Sequence, residues 1–338
     1  LGMTELTDLT LREAGDLLAA RKVSAIELLD ATLAQLDKTE AAVHAYAHVG
    51  REGARSAAAV ADAELARGVR RGPLHGIPVG VKDLLYTTDL PTEAGSKVLQ
   101  GFIPAYEATA VSNLRDAGAV IVGKTVTHEF AYGQDVPPTR NAWNQACYPG
   151  GSSAGSGVSV AVRSAFAAVG TDTGASIRIP GSVNGVVGVK PTFGRVSRHG
   201  IVGMSSTLDH AGPVARTIED AALMLNTIAG YDANDPASLA VPDEDFTSEL
   251  GAGVDGLRIG VERAYYFSHF VTDDVRAATI SAIDELGRQG ATVVDVEIPE
   301  LKLMSDVGLT LVLSDTSDYH RRMLRERPPR LAIFFCSS

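Results

Sequence analysis

The sequence predicts an α/β fold with a largely parallel or mixed central sheet. Two observations support it: amphipathic helical patterns alternate with short apolar runs typical of strands, and each run is bounded by turn residues. Alternating helices and strands are typical of folds in which a helix packed on the sheet connects one strand to another. No segment of fixed period repeats along the chain.

The N-terminal segment, residues 1–68, is predicted to be helical. Thr10 with Glu13 and Ser24 with Glu27 form two capping boxes, each followed by an apolar-periodic run. The alanine-rich stretch 52–68 indicates a third helix.

The rest of the chain alternates between the two kinds of pattern. The predicted strands are 76–86, 119–123, 165–170, 257–262 and 291–298. The predicted helices are 109–117, 154–163, 217–230, 273–289 and 305–327. Residues 231–246 are polar and rich in turn residues, which predicts a linker.

Composition excludes several classes of function. The net charge of −11 argues against non-specific nucleic-acid binding, and no apolar run approaches the roughly 20 residues that span a membrane. Cys147 and Cys336 form no CxxC pair, and the eight histidines form no HExxH motif. We therefore expect no metal site, no membrane association, no direct contact with nucleic acid and a cytoplasmic location.

Two segments match known functional motifs, but the residues around them argue against those functions. "GAVIVGKT" (118–125) matches a phosphate-binding loop, but its central residues are themselves strand-like and cannot curl around a phosphate. "GSSAG" (151–155) matches the nucleophile elbow of α/β-hydrolases, but the preceding "NAWNQACYPG" is a loop instead of an apolar strand.

Three other segments carry candidate catalytic side chains: "PVGVKD" with Lys82, "PGGSSAGSG" with Ser152 and Ser153, and "GTDTGASIRIPGS" with Ser176. Taken singly, each residue has an ordinary explanation. Lys82 could lie at the surface, the paired serines could cap a helix, and Ser176 could belong to a turn.

Taken together and in order, these segments resemble the amidase signature family. The resemblance extends from the N-terminal helices to about residue 327 and includes "GPLHGIPVGVKD", "TAVSNLRDAGAVIVGKT", "GVVGVKPTFGRVSRHGIV" and "LDHAGPVARTIEDAALML". It implies the amidase signature fold, a central mixed β-sheet flanked by helices on both faces. The chain is then expected to be one domain over 1–338 with its catalytic core at about 70–215.

The resemblance also implies a Ser–Ser–Lys triad. Its general base falls on Lys82, its bridging serine, which follows a cis peptide bond, on Ser152, and its nucleophile on Ser176. The expected oxyanion hole consists of the backbone N–H groups of Thr173, Gly174, Ala175 and Ser176.

The chemistry of amide cleavage fits these residue types. A serine oxygen must lose its proton as it attacks an amide carbonyl, and a lysine accepts that proton only when it is neutral. The apolar residues around Lys82 predict the burial that would lower its pKa, provided that the neighbouring Asp83 points away or pairs elsewhere. Asp172 and Arg178 are expected to form a local salt bridge, and Ser153 is expected to cap the following helix.

The chain departs from the family pattern in two respects. Ala154 and Ala175 stand where glycine is usual, and a methyl group is expected there only if φ is negative. The ending "PRLAIFFCSS" (329–338) is unlike the family, whose members are considerably longer, so the C-terminal part is predicted to be missing.

The function expected from the resemblance is amidohydrolase activity on linear amides, giving an acid and ammonia or an amine through an acyl-enzyme, without cofactor. One alternative is the glutamine-hydrolysing component of a tRNA-dependent amidotransferase, which would require partner subunits. The short segment 132–144 favours a free amidase. Another alternative is an inactive truncated remnant. A homodimer is left open.

Overall fold

A computed structural model describes residues 2–132, 137–268 and 270–326. The chain divides into two compact units. The larger contains the described residues up to Phe246 and those from Val312 onwards, and the smaller spans Thr247–Leu311. The predicted atypical terminus, residues 329–338, lies outside the described residues. The expectation of a single domain over 1–338 stays a prediction.

The larger unit is built on a six-stranded sheet. Its strands in chain order are β1 (Tyr46–Val49), β2 (Pro78–Lys82), β3 (Val120–Thr125), β4 (Ala167–Asp172), β5 (Val187–Gly188) and β6 (His210–Ala215). In space they follow the order β1-β3-β2-β4-β6-β5. The central strand β2 runs parallel to β3 and β4, whereas β1, β5 and β6 are antiparallel to their neighbours. The predicted mixed sheet is confirmed.

Eight helices accompany this sheet along the described chain up to residue 228. They are α1 (Met3–Asp8), α2 (Leu11–Ala19), α3 (Ala25–Val43), α4 (Arg51–Ala66), α5 (Thr109–Asp116), α6 (Ala154–Ala161), α7 (Arg178–Asn184) and α8 (Ile218–Ile228). Both predicted capping boxes form: the hydroxyls of Thr10 and Ser24 accept from the backbone N–H groups of Glu13 and Glu27. These bonds satisfy donors that a helix start leaves unpaired.

Helices cover both faces of the sheet. Gly80 in β2 points towards α6, where a Cβ would lie 3.8 Å from Ser159 Oγ. Val79 and Val81 alternate to the opposite face and join the apolar core that α3 and α4 supply. Because β2 lies between two parallel neighbours, its last residue, Lys82, is placed deep inside the unit.

The smaller unit contains a two-stranded parallel sheet of β7 (Arg258–Val261) and β8 (Thr292–Asp295). Its helices are α9 (Arg263–Tyr266), α10 (Asp273–Arg288) and the first part of α11 (Leu301–Tyr319). Residues of α11 from Val312 onwards, and α12 (Arg321–Glu326), belong to the larger unit. No helix in the described part of the chain is both long and apolar enough to cross a membrane.

The polar segment 231–246 contains neither helix nor strand, in agreement with the sequence. It is nevertheless anchored, because the buried carboxylate of Asp232 accepts from Ser197 Oγ (2.6 Å) and Thr109 Oγ1 (2.5 Å). The sequence analysis did not predict β1, β5, β6 or α7. The strand β1 interrupts the segment 1–68 that was predicted to be helical, and β6 was missed although it is as long as β3 and β4.

Candidate active site

Lys82 is the centre of the candidate site. Its side chain is fully buried at the end of β2. The Nζ atom donates to Ser152 Oγ at 2.8 Å and to Thr171 Oγ1 at 2.7 Å. The amine is therefore held between the segment that precedes α6 and the neighbouring strand β4.

Burial determines the protonation of this amine. Desolvation lowers the pKa of Lys82 to about 7, although the carboxylates of Asp172 and Asp209 favour the charged form. An ordinary lysine is almost entirely protonated at neutral pH. Lys82 instead has a substantial neutral fraction there, which a proton acceptor requires.

Ser152 is buried and follows a cis peptide bond from Gly151. Its carbonyl accepts from the backbone N–H of His128 at 3.2 Å. Gly151 passes so close to His128 that a Cβ would lie 2.3 Å from the Nε2 atom of the imidazole ring. The close approach of backbone and ring requires glycine at this position.

Ser153 does not cap α6 as predicted. It occupies the position before the helix, but its Oγ donates to Thr171 O at 3.0 Å and accepts from Thr171 N at 3.2 Å. Because the start of the helix packs against β4, the Ser153 hydroxyl forms its hydrogen bonds with the strand backbone and not with the helix. The Ser153 N–H donates to Ser176 O at 3.1 Å, which brings the backbone of Ser176 beside the serine pair.

Asp172 organises the turn between β4 and α7. Its fully buried carboxylate accepts from Arg178 Nε at 3.0 Å and Nη2 at 2.9 Å, so the expected salt bridge is present. It also accepts from the backbone N–H groups of Ala175 at 2.8 Å and Ile177 at 3.1 Å. Burial opposes ionisation, but these donors outweigh it and hold the pKa of Asp172 below its usual range.

The bond to Asp172 contradicts one member of the predicted oxyanion hole. The single backbone proton of Ala175 is directed at the carboxylate, so this N–H is not available to a substrate oxygen, whereas the N–H groups of Thr173, Gly174 and Ser176 stay a prediction. The expectation of negative φ is also wrong at Ala175, where φ is 84°. The tight turn into α7 requires a left-handed residue there. Ala154, the first residue of α6, is outside the left-handed region.

Two residues of the site were not found from the sequence. Thr171 is the second partner of Lys82, and Asp209 accepts from Thr173 Oγ1 at 2.5 Å. The register that pairs Val81 with Val169 brings Thr171 next to Lys82, but strand pairing cannot be read from these short apolar runs.

Asp83 pairs away from Lys82, which is consistent with the low pKa of the buried Lys82 amine. Its Oδ1 lies 3.6 Å from Lys124 Nζ, and both carboxylate oxygens accept from Glu93 N at 3.2 Å. Lys124 is the lysine of "GAVIVGKT", which the structure places in strand β3. Its ammonium is fully buried and donates to Leu85 O, so the rejection of a phosphate-binding loop is confirmed.

Comparison with known proteins decides the family. The sequence matches the family model described as Amidase over residues 27–334. The chain belongs to the Amidase family. Among its relatives is the A subunit of the glutamyl-tRNA(Gln) amidotransferase of Anaeromyxobacter sp. (strain K), 48% identical over 303 residues, which cover 88% of this chain and 61% of that protein. Another is an amidase of Pseudomonas putida, 47% identical over 96% of this chain and 70% of the relative.

Solved structures agree with this assignment. The native peptide amidase from Stenotrophomonas maltophilia superposes with a TM-score of 0.85 at 36% identity, covering 94% of this chain and 68% of the other. The A subunit of the glutamyl-tRNA(Gln) amidotransferase from Thermotoga maritima gives 0.79 at 32% identity, covering 97% and 69%. The predicted amidase signature fold is confirmed. The chain spans about three fifths of the length of the Anaeromyxobacter proteins that it matches.

Proposed function

We propose that this member of the Amidase family hydrolyses a linear carboxylic amide to an acid and ammonia or an amine, with Lys82, Ser152 and Ser176 as its triad. One observation carries the proposal: a fully buried lysine amine lies 2.8 Å from a serine hydroxyl, and its pKa is about 7. At hydrogen-bond distance, a neutral amine is able to accept the proton of that hydroxyl.

The acylation step is a relay of two protons. Ser176 Oγ forms a bond to the carbonyl carbon and passes its proton to Ser152 Oγ, which gives its own proton to Lys82 Nζ. The carbonyl π electrons move to oxygen, and the N–H groups of Thr173, Gly174 and Ser176 stabilise the resulting oxyanion. Each such donor is typically worth roughly 10²–10³ in rate.

The relay then runs backwards. As the tetrahedral intermediate collapses, the C–N bond breaks, and the Lys82 ammonium returns a proton through Ser152 to the leaving nitrogen. The acyl group remains as an ester on Ser176. Water attacks the ester carbonyl and gives up a proton through Ser152 to Lys82. As the C–O bond to Ser176 breaks, the same path returns that proton to Ser176 Oγ, and the acid is released.

Residues around the triad would hold its geometry. Thr171 Oγ1 fixes the Lys82 amine as its second partner beside Ser152, and Asp172 shapes the turn that carries Ser176. We assign both as positioning residues, because neither needs to exchange a proton with the substrate.

Turnover of simple amides by the purified chain, followed as ammonia release, tests this proposal. Ser176→Ala and Lys82→Ala should remove activity, and Ser152→Ala should cost somewhat less. Ser182→Ala, an exposed serine on α7, serves as the matched control and should be silent. Activity that survives Ser176→Ala, or that is unaffected by Lys82→Ala, would refute the proton route.

A second function is supported by the 48% identity to an amidotransferase component. In that case the same triad would hydrolyse glutamine and supply ammonia to partner subunits. Glutaminase assays with and without added partner subunits separate the two functions, because a free amidase acts on amides without them.

A further inference from the structure

We propose that a pocket beside the turn of residues 173–176, here called the oxyanion turn, binds an uncharged, apolar substituent of the amide, and that Tyr319 determines which sizes of substituent fit. This inference rests on the proposed function and adds a substrate class to it. The pocket lies within the larger unit, has a volume of about 300 Å³, and reaches Thr171 and Thr173. Thr171 is the partner of Lys82, so the pocket adjoins the triad.

Most of the exposed area of the pocket wall is apolar, although polar side chains such as Thr173, His199 and Asn234 also line it, and the volume is small. About 300 Å³ lies at the lower end of the range for small-molecule sites, which indicates a compact group and not an extended chain. Its apolar lining groups are Leu84, Ala131, Ile201, Val202, Met204, Pro236 and the ring of Tyr319.

The acidic group of the wall nearest the oxyanion turn is already paired. Asp209 Oδ1 accepts from Thr173 Oγ1 at 2.5 Å, and Oδ2 accepts from the backbone N–H groups of Met204 at 2.8 Å and Ser205 at 3.0 Å. These three donors occupy most of the four lone-pair positions of the carboxylate, so little of its hydrogen-bonding capacity is left for a substrate ammonium.

Two basic groups of the wall, Arg198 and His210, are engaged as well. Arg198 pairs with Asp235 at 3.3 Å and donates to Ser206 O at 2.7 Å. The Nδ1 atom of His210 lies 2.6 Å from Leu208 O, and its Nε2 atom lies 3.2 Å from Lys190 Nζ. A carboxylate entering this pocket would compete with Asp235 for the guanidinium of Arg198. Whichever carboxylate did not pair with the guanidinium would be left partly desolvated.

Tyr319, the last residue of α11, forms one side of the pocket. Its hydroxyl accepts from Gly203 N at 3.1 Å, and a Cβ on Gly203 would lie 2.9 Å from the tyrosine ring. One turn earlier, Asp315 accepts from Ser205 Oγ at 2.6 Å and Thr207 Oγ1 at 2.8 Å. The end of α11 and the loop 203–207 therefore form one continuous wall.

Binding to the Ser176→Ala variant tests the pocket without requiring turnover. The ligands are 4-methylpentanamide and glutamine, because the former replaces the two charged groups of glutamine by methyl groups. Ligand-observed NMR titration should give at least roughly tenfold tighter binding of 4-methylpentanamide, since glutamine must desolvate two charges beside paired groups. Equal or tighter binding of glutamine would overturn the inference.

The role of Tyr319 is tested in the Ser176→Ala protein by the ratio of the affinities for a larger and a smaller amide. Tyr319→Ala should raise the affinity for 4-phenylbutanamide relative to 4-methylpentanamide by about fivefold or more, because the wall recedes. Tyr319→Phe keeps the ring and should leave the ratio within about twofold. Tyr231→Ala, an exposed tyrosine that does not line the pocket, is the matched control.

An unchanged ratio in Tyr319→Ala would overturn the assignment of Tyr319. If that variant fails to fold, Tyr319→Leu must move the ratio in the same direction. The two failures are distinguishable: absence of amide turnover by the wild type would refute the proposed hydrolysis, whereas these affinities would still report on the pocket.

Discussion

Asp83 directs its carboxylate to Lys124, 3.6 Å away, although its neighbour in sequence is another buried lysine, Lys82. Lys124 pairs with Val81 in the sheet register, and Val81 and Lys82 alternate between the two faces. The Asp83–Lys124 pair therefore lies on the face opposite to the Lys82 side chain. Burial raises the pKa of Asp83 to about 6 and lowers that of Lys124 to about 8.

Lys124→Met should destabilise the protein by about 3–5 kcal/mol, because it leaves the Asp83 carboxylate buried without its cation. It also removes the donor to Leu85 O and Thr92 Oγ1, both at 2.6 Å. Urea unfolding measures the loss. The control is Asp83→Asn combined with Lys124→Met, which should cost clearly less than the two single losses added together. Additive losses would show that the two groups do not interact.

The pH dependence of turnover should report the neutral form of Lys82. Because its pKa is about 7, kcat/KM should rise about tenfold per pH unit below that value and level off above it. The measurement is kcat/KM for one uncharged amide from about pH 5 to about pH 9, a range that brackets the titration. A profile that is flat through pH 7 would exclude Lys82 as the base.

The same pKa has a consequence for stability. Lys82 titrates near pH 7 when folded and near 10.5 as an ordinary lysine, so between these values the unfolded chain binds more protons. The free energy of unfolding of the wild type, relative to Lys82→Met, should therefore rise with pH in that window by up to about 1.4 kcal/mol per unit. Below pH 7 both states are protonated and the difference should be constant. Urea unfolding of the two proteins at matched pH values gives the slope, and a constant difference across the window would contradict a buried neutral amine.

The sequence was informative where local chemistry determines structure. The capping boxes at Thr10 and Ser24 formed, and the apolar residues around Lys82 predicted its burial. It was uninformative where contacts join distant segments. Thr171 meets Lys82 only because β2 and β4 pair, and the Ser153 hydroxyl is taken up by that same strand. These choices depend on tertiary packing, which local propensity does not determine.

Ser152→Ala and Ser153→Ala should affect different properties, although the residues are adjacent: Ser153→Ala should mainly lower stability, and Ser152→Ala should mainly lower turnover. Ser153→Ala leaves the buried N–H and C=O of Thr171 without their partner and should cost about 1–3 kcal/mol of stability. Ser152→Ala removes the serine partner of Lys82 and should reduce turnover while leaving stability less affected. Each variant is the control for the other in paired urea-unfolding and amide-turnover measurements. Loss of turnover in a Ser153→Ala protein of unchanged stability would mean that Ser153, and not Ser152, has the catalytic role.

Ala175→Gly should stabilise the protein, in contrast to the usual effect of adding glycine. Ala175 is held at φ 84°, a left-handed conformation that costs a residue with a Cβ about 1–2 kcal/mol. Glycine removes this strain but increases the entropy of the unfolded chain, which costs about 0.4–1 kcal/mol, so a net gain of up to about 1.6 kcal/mol is expected. Ala154→Gly, at the first residue of α6 and without positive φ, is the control and should lose about 1–2 kcal/mol, because it also removes a buried methyl group. Urea unfolding of both variants measures the difference. If Ala175→Gly lost as much stability as Ala154→Gly, the backbone at Ala175 would not be strained, and the turn that carries Ser176 would tolerate the methyl group without cost.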